Sequence, residues 1–419
     1  MTTNELKPKK IDLSESVTLI VDPKVNLVYF DLISPVAGSL HAPPGVAHYA
    51  EHLFFHKGKK YTRKVFNNLF DEIGDANAGT WYDAVCYNFC TTADNFKRGL
   101  EAVSDYLFSD KELSSESLEK EMDIINSEIK MYDANSVGAF IADTWSDILN
   151  RPNIILFDDK NPRWLKSVVD QLHKNTLAAY KCVVVCSPDA EKIVRKELTA
   201  NTDLLNNGSA INSISKLEEL QNSTKSGVKE ENIVRFNKPL DQGTHCLFYN
   251  YNHHTIEQEF SNNFVYELML IALGNHLFND LREDQSLCYS VSVVENNVNL
   301  APVNTKDFKY IFMQTSCDLQ KCKDAVSKSV KNFFNKRNYL EEVEKCRTYK
   351  KYSILGFSGN PYRYVKRTAN NPLIEDTWRF MSLNDKVKCL DEIRPIDFHQ
   401  AFDRMRHDII DLEKQDFSR

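Results

Sequence analysis

Two imidazoles and a carboxylate lie within five consecutive residues, His48-Tyr49-Ala50-Glu51-His52. On a helix, side chains four residues apart stack on one face. Neutral imidazoles so placed can hold one Zn²⁺, and a carboxylate beside them can take a proton from a water on the ion. A hydrolytic zinc site needs a third protein ligand and one open position. A second stretch offers that ligand. Ser115 to Met131 reads as a long helix, and Glu121 and Glu128 stand seven residues apart on it, two turns along the same face. Ile124 and Ile125 place the apolar stripe on or near that face. A carboxylate on such a stripe needs a partner, because burying it alone is costly. His56 continues the stripe eight residues from His48. Eight residues of helix rise about 12 Å, too far to share an ion with His48. His253, His254 and His276 lack ligand spacing and read as loop or helix histidines.

The elements that must position these groups read as mixed α/β. Ser16–Val21 and Val25–Leu32 look like the strands of a hairpin turning near Asp22-Pro23-Lys24. Pro43-Pro44-Gly45 breaks the chain before the helix that carries His48 to Phe55 and stops at Gly58. A helix over Thr62–Ile73, a strand or bent pair of strands over Asn77–Cys90 and an amphipathic helix over Asp94–Leu107 follow. Cys182–Cys186 is a short buried strand before a helix over Ala190–Leu198. Residues 206–231 are rich in Asn, Ser, Gly and Lys and read as a linker between domains 1–205 and 232–419. The second half restarts the same grammar: a strand at Thr244–Tyr251, a helix over Phe260–Leu281, strands at Leu287–Val294 and Tyr310–Thr315, and a helix over Leu319–Asn335. Two halves with one α/β order suggest a duplication.

Composition bounds the function. At 419 residues the chain exceeds a usual single core, and 42% hydrophobic with 26% charged residues is ordinary for a folded soluble protein. Its net charge of −7 argues against binding nucleic acid as the main task. No run reaches the length of a membrane span, so no membrane partner is expected. The ten cysteines include the spaced pairs Cys86/Cys90 and Cys182/Cys186, without zinc-ribbon spacing, and read as buried free thiols. With no apolar leader in Met1–Pro8, a reducing, cytoplasmic setting is the expectation.

The order His-x-x-Glu-His reverses the commoner His-Glu-x-x-His zinc-protease helix. Gly45 through His52 resembles the signature of the M16 (pitrilysin-type, inverzincin) metallopeptidases. Ala76-Asn77-Ala78-Gly79-Thr80 looks like that family's Asn-Ala-x-Thr strand, and Glu121 through Tyr132 like its Glu-x6-Glu helix. Glu128 follows His52 by 76 residues, the separation the family uses for its third ligand. Leu281-Arg282-Glu283 and Leu287-Cys288-Tyr289 resemble its C-terminal Arg/Tyr pair. The small two-domain bacterial M16B peptidases are the most similar group.

The resemblance implies an α+β fold of two similar M16-type α/β domains, each an antiparallel-rich sheet packed with helices, forming half of a clamshell chamber. It implies Zn²⁺ held by His48, His52 and Glu128. Glu51 would be the general base, and Glu121 would orient a ligand histidine. Asn77, Ala78 and Thr80 would meet an extended peptide at a sheet edge. Gly79 replaces a bulkier residue there, and Trp81 a smaller one. Arg282 and Tyr289 would stabilise the oxyanion. The implied protein is a zinc endopeptidase acting on short or unfolded peptides inside a dimer, homo- or heterodimeric, with Arg282 and Tyr289 completing the partner's site. Processing of ribosomally made precursor peptides fits that group. Two alternatives stand beside it: a non-catalytic or regulatory M16-like subunit, and a structural zinc site.

Overall fold

The computed structural model describes residues 8–134, 162–207, 234–236, 245–252, 260–357 and 383–410, apart from 44, 83, 110–112, 302–303, 318 and 336–338. The described elements fall into two compact units, the first holding those up to Asn206 and the second nearly all those from Val234 onward. Most of the expected linker, and His253 and His254, lie outside the described residues.

A six-stranded sheet organises the first unit. Its strands are β1 (Lys9–Asp12), β2 (Val17–Val21), β3 (Val28–Ser34), β4 (Gly74–Thr80), β5 (Val85–Thr91) and β6 (Lys181–Cys186), in the order β1-β2-β6-β3-β5-β4. The expected hairpin of β2 and β3 does not form. The turn itself is present, with Val25 N–H donating to Asp22 O at 3.3 Å. However, β6 lies between the two strands, parallel to β2 and antiparallel to β3. Val183–Cys186 is a continuous buried run, the kind that needs cover on both faces and so takes a central place. Asp22 N–H donates to Cys186 O at 2.8 Å, so the chain leaving β2 is tied to β6. The stretch Asn77–Cys90 resolves into β4 and β5, a true antiparallel hairpin with β4 on the sheet edge. At its start the two backbones come so close that a Cβ on Gly74 would lie 1.9 Å from Cys90 O, which only glycine avoids.

The helices of this unit are α1 (Val46–Phe54), α2 (Arg63–Ile73), α3 (Phe96–Leu107), α4 (Ser115–Ala134), α5 (Pro162–Ala178), α6 (Glu191–Ala200) and α7 (Thr202–Asn206). Phe30, Leu32, Phe54, Phe66, Phe89, Tyr106 and Val184 join sheet and helices in one core. A second cluster fixes α1: Val46, Ala47, Tyr49 and Leu53 pack on Leu118 and Ile125 of α4 and on Leu165, Val169 and Leu172 of α5. The Tyr49 hydroxyl donates to Leu118 O, pinning α1 to α4. Gly45 starts α1 in the left-handed region, at φ 71°.

The second unit has an antiparallel sheet of β7 (Val234–Phe236), β8 (His245–Asn252), β9 (Ser290–Ala301) and β10 (Asn304–Thr315), ordered β7-β8-β10-β9. β9 and β10 run well beyond the expected Leu287–Val294 and Tyr310–Thr315. Their far ends, Glu295–Asn299 and Thr305–Lys309, pair in register but are polar apart from Val298 and Phe308, so the sequence carries no apolar alternation there. The helices are α8 (Phe260–Leu277), α9 (Leu319–Asn335), α10 (Tyr339–Phe357), α11 (Leu383–Glu392) and α12 (Pro395–Ile410). α8 continues as a π-helical turn, Phe278–Asp284. His276 is buried in α8 with Nε2 3.1 Å from Ser329 O, a helix histidine as expected. The four cysteines of the spaced pairs, Cys86, Cys90, Cys182 and Cys186, are free thiols. Among the described residues no helix is long and apolar enough to cross a membrane.

Candidate metal centre

α1 packs its apolar face on α4 and α5, and that packing sets His48 and His52 beside the acidic residues of α4. On α4 the buried stripe runs Leu118, Glu121, Ile125, while Ile124 lies off it and is exposed. Glu128 continues that stripe one turn further, half-buried. His48, His52 and Glu128 thereby bring one ligand atom each to within 4.8 Å of one another. Glu128 Oε2 is 3.7 Å from His48 Nε2 and 3.4 Å from His52 Nε2. Ligands bound at about 2.0–2.1 Å to one tetrahedral Zn²⁺ sit about 3.3–3.4 Å apart, so the donor set suits the ion and both Glu128 contacts lie near that spacing.

The groups around the ligands are not equivalent. His52 Nδ1 lies 3.1 Å from Glu121 Oε2, a bond that leaves Nε2 free for the ligand side. His48 Nδ1 is buried and has no hydrogen-bond partner among the described residues. Burial first, and the neighbouring His52 next, lower the His48 pKa and keep the imidazole neutral, as a metal ligand must be. Burial opposes a charge on His52 too, but the Glu121 hydrogen bond and the charges of Glu51 and Glu128 raise its pKa. Glu121 is wholly buried. Burial would raise it, but hydrogen bonds from His52 and His56 and the Arg63 charge bring it down to about 2.

Glu51 stands beside the ligands, its pKa raised chiefly by burial. The Thr80 hydroxyl donates to Glu51 Oε2 at 2.7 Å and works the other way. Thr80, read as a peptide contact, thus holds Glu51, and leaves the carboxylate's other oxygen available. β4 brings its edge to α1. Ala76 and Ala78 pack against the core and Thr80 faces Glu51, while Asn77 is exposed, its Oδ1 accepting from Ala78 N–H at 2.9 Å. A Cβ built on Gly79 meets nothing within 4 Å. Trp81 packs on Ile33, Ala84 and Cys86.

Two residues outside the expected site join it. His56 Nε2 donates to Glu121 Oε1 at 2.8 Å, and Arg63 Nη1 donates to the same oxygen. His56 faces Glu121 and lies outside the group of His48, His52 and Glu128. Its position four residues after His52 was the available signal, pointing to Glu121 rather than to a metal.

Arg282 and Tyr289 belong to the second unit. Arg282 sits in the π-helical turn, its guanidinium 4.9 Å from the Phe278 ring centroid and 5.5 Å from that of Tyr289. Tyr289 lies one residue before β9 rather than on it, anchored by its N–H to Gln314 O at 2.9 Å, with its side chain 76% exposed.

Residues 36–153 match the family model for insulinase, peptidase family M16. The uncharacterized zinc protease YmfH of Bacillus subtilis is 36% identical over 96 residues, 23% of this chain and 21% of that protein. An uncharacterized zinc protease of Rickettsia bellii is 31% identical over 110 residues, 26% of each chain. The aligned stretch therefore spans about a fifth to a quarter of these relatives. Among solved structures, a protease from Helicobacter pylori superposes with TM-score 0.69 at 14% identity, over 95% of this chain and 96% of that one. The first half of the periplasmic protease PqqL from Escherichia coli gives 0.67 at 16%, over 97% and 90%. A peptidase M16 inactive domain from Pseudomonas fluorescens gives 0.66 at 14%, over 95% of both. The fold is the α+β type of these M16 peptidase structures, and residues 36–153 carry the match to peptidase family M16. An inactive domain shares that fold, so activity has to be argued from the residues.

Proposed function

We propose that this protein is a zinc-dependent endopeptidase that hydrolyses short or unfolded peptides. The observation that carries this reading is the convergence of His48, His52 and Glu128 within 4.8 Å, beside a Glu51 held by Thr80. Zn²⁺, when bound, supplies a Lewis acid and makes water a nucleophile at neutral pH. Glu51 accepts the proton at its free oxygen and later delivers it to the leaving amine; its raised pKa suits both transfers. The edge of β4 takes an extended peptide by main-chain hydrogen bonds. Arg282 and Tyr289 supply the oxyanion donors, from a partner chain in a dimeric chamber. Processing of ribosomally made precursor peptides, in the cytoplasm, suits such a site.

The second reading, a non-catalytic subunit, is favoured by the inactive domain that shares the fold. One experiment separates the two: peptide-library digestion followed by mass spectrometry, with metal-stripped and Glu51→Gln controls. Chelator should abolish cleavage and Zn²⁺ restore it. Glu51→Gln should retain zinc yet cleave about 10²–10⁴-fold more slowly. A Glu51→Gln variant as fast as wild type would sink the mechanism.

A further inference from the structure

The Glu121 carboxylate is wholly buried and receives three donors, from three different elements. Oε2 faces His52 Nδ1 at 3.1 Å. Oε1 takes His56 Nε2 at 2.8 Å together with Arg63 Nη1, and these two donors lie 3.5 Å apart. We propose that His56 and Arg63 form a clamp that fixes Glu121 and, through it, the tautomer and direction of His52, so both are positioning residues for metal binding. This inference rests on the zinc reading of the site.

The division of the two oxygens is the physical basis. A carboxylate rotating freely about its last bond would offer His52 either oxygen at variable angles. With Oε1 occupied twice, only Oε2 remains for His52, in one orientation. His52 Nδ1 then carries the proton and Nε2 keeps its lone pair, 3.4 Å from Glu128 Oε2 on the ligand side. The clamp is itself held. His56 follows the end of α1 in a turn, its N–H donating to Leu53 O at 2.9 Å, and Arg63 is the first residue of α2. The connection between them is anchored by Lys60 N–H and Tyr61 N–H, which donate to Asp105 Oδ2 at 2.8 and 3.0 Å. It is also tight: a Cβ on Gly58 would lie 2.4 Å from Tyr61 O. The α1–α2 connection thus sets how firmly the site holds its ion.

The test is zinc affinity by competition with a chromophoric chelator, alongside melting of the metal-free proteins. His56→Ala should weaken zinc binding about tenfold, at the low end of what partners of metal ligands contribute. Arg63→Ala should act in the same direction. His56→Gln, which retains an N–H donor of similar reach, should stay within about threefold of wild type. In a Glu121→Gln background, His56→Ala should weaken binding no further, because the clamp acts only through that carboxylate. Wild-type affinity in both His56→Ala and Arg63→Ala overturns the clamp. So does an equal loss from His56→Ala in both backgrounds, which would mark a general effect on folding. A wild-type protein that binds no zinc overturns the site reading and the clamp with it.

Discussion

Glu51 depends on Thr80 for its place, through a 2.7 Å bond to one oxygen. Thr80→Val keeps shape and strand preference but removes the donor. We expect kcat/KM to fall about tenfold, the worth of one hydrogen bond to a charged group, with zinc content unchanged by metal analysis. His173 shows the other face of burial. Burial first, and the Lys57 ammonium next, lower its pKa to about 4, against which the Asp170 charge and a backbone bond at Leu107 act weakly. The folded protein therefore resists a proton that the unfolded chain accepts near 6.5, so stability falls as pH drops from there toward 4. The loss is of order 2–3 kcal/mol. Metal-free His173→Gln should lose less stability than wild type between pH 7 and 4.5 in urea unfolding. At this scale the sequence was readable where chemistry fixes spacing: His48, Glu51 and His52 on one helical face, Glu128 two turns from Glu121. It held only a hint of His56, four residues after His52, and none of Arg63, because their meeting with Glu121 depends on the turn that ends α1, and rise along an ideal helix says nothing about a turn.

The elements that matter most are α1 and the β4–β5 hairpin. Local signals placed both: Pro43-Pro44-Gly45 ahead of the helix, alternation along Val85–Thr91. The β2–β3 pairing could not be read, since its competitor β6 arrives some 150 residues later and wins by burial on two faces. Gly74 ties the hairpin to its register. Gly74→Ala puts a carbon against Cys90 O and should cost about 2–4 kcal/mol, seen as a lower urea midpoint, and loosen Thr80 from Glu51. Gly79 is the contrasting position on the same strand. A Cβ on Gly79 meets nothing within 4 Å, so with Gly79→Phe the melting temperature should hold while the cleavage products shift away from bulky side chains. An unchanged product profile in the peptide-library digest would remove Gly79 from the substrate pocket.

On the scale of the molecule, one unit holds His48, His52 and Glu128 and the other holds Arg282 and Tyr289. If these work across a dimer, Glu51→Gln and Arg282→Ala proteins, each inactive alone, should complement when mixed and allowed to exchange subunits. Random exchange leaves roughly a quarter of all sites intact, so about a quarter of wild-type activity should return. No recovery, or an active species that sediments strictly as a monomer, would place the pair in cis. The composition of β4 matters at this scale as well. Gly74-Asp75-Ala76-Asn77-Ala78-Gly79-Thr80 is poor in the branched and aromatic residues that make strands adhere. An open sheet edge of stickier residues would recruit another copy of the protein and stay capped. A weakly adhesive edge grips a passing chain only while other contacts help, then lets the two shortened pieces go. In a peptidase that takes its substrate at this edge, release, and with it turnover, would be built into the blandness of the strand.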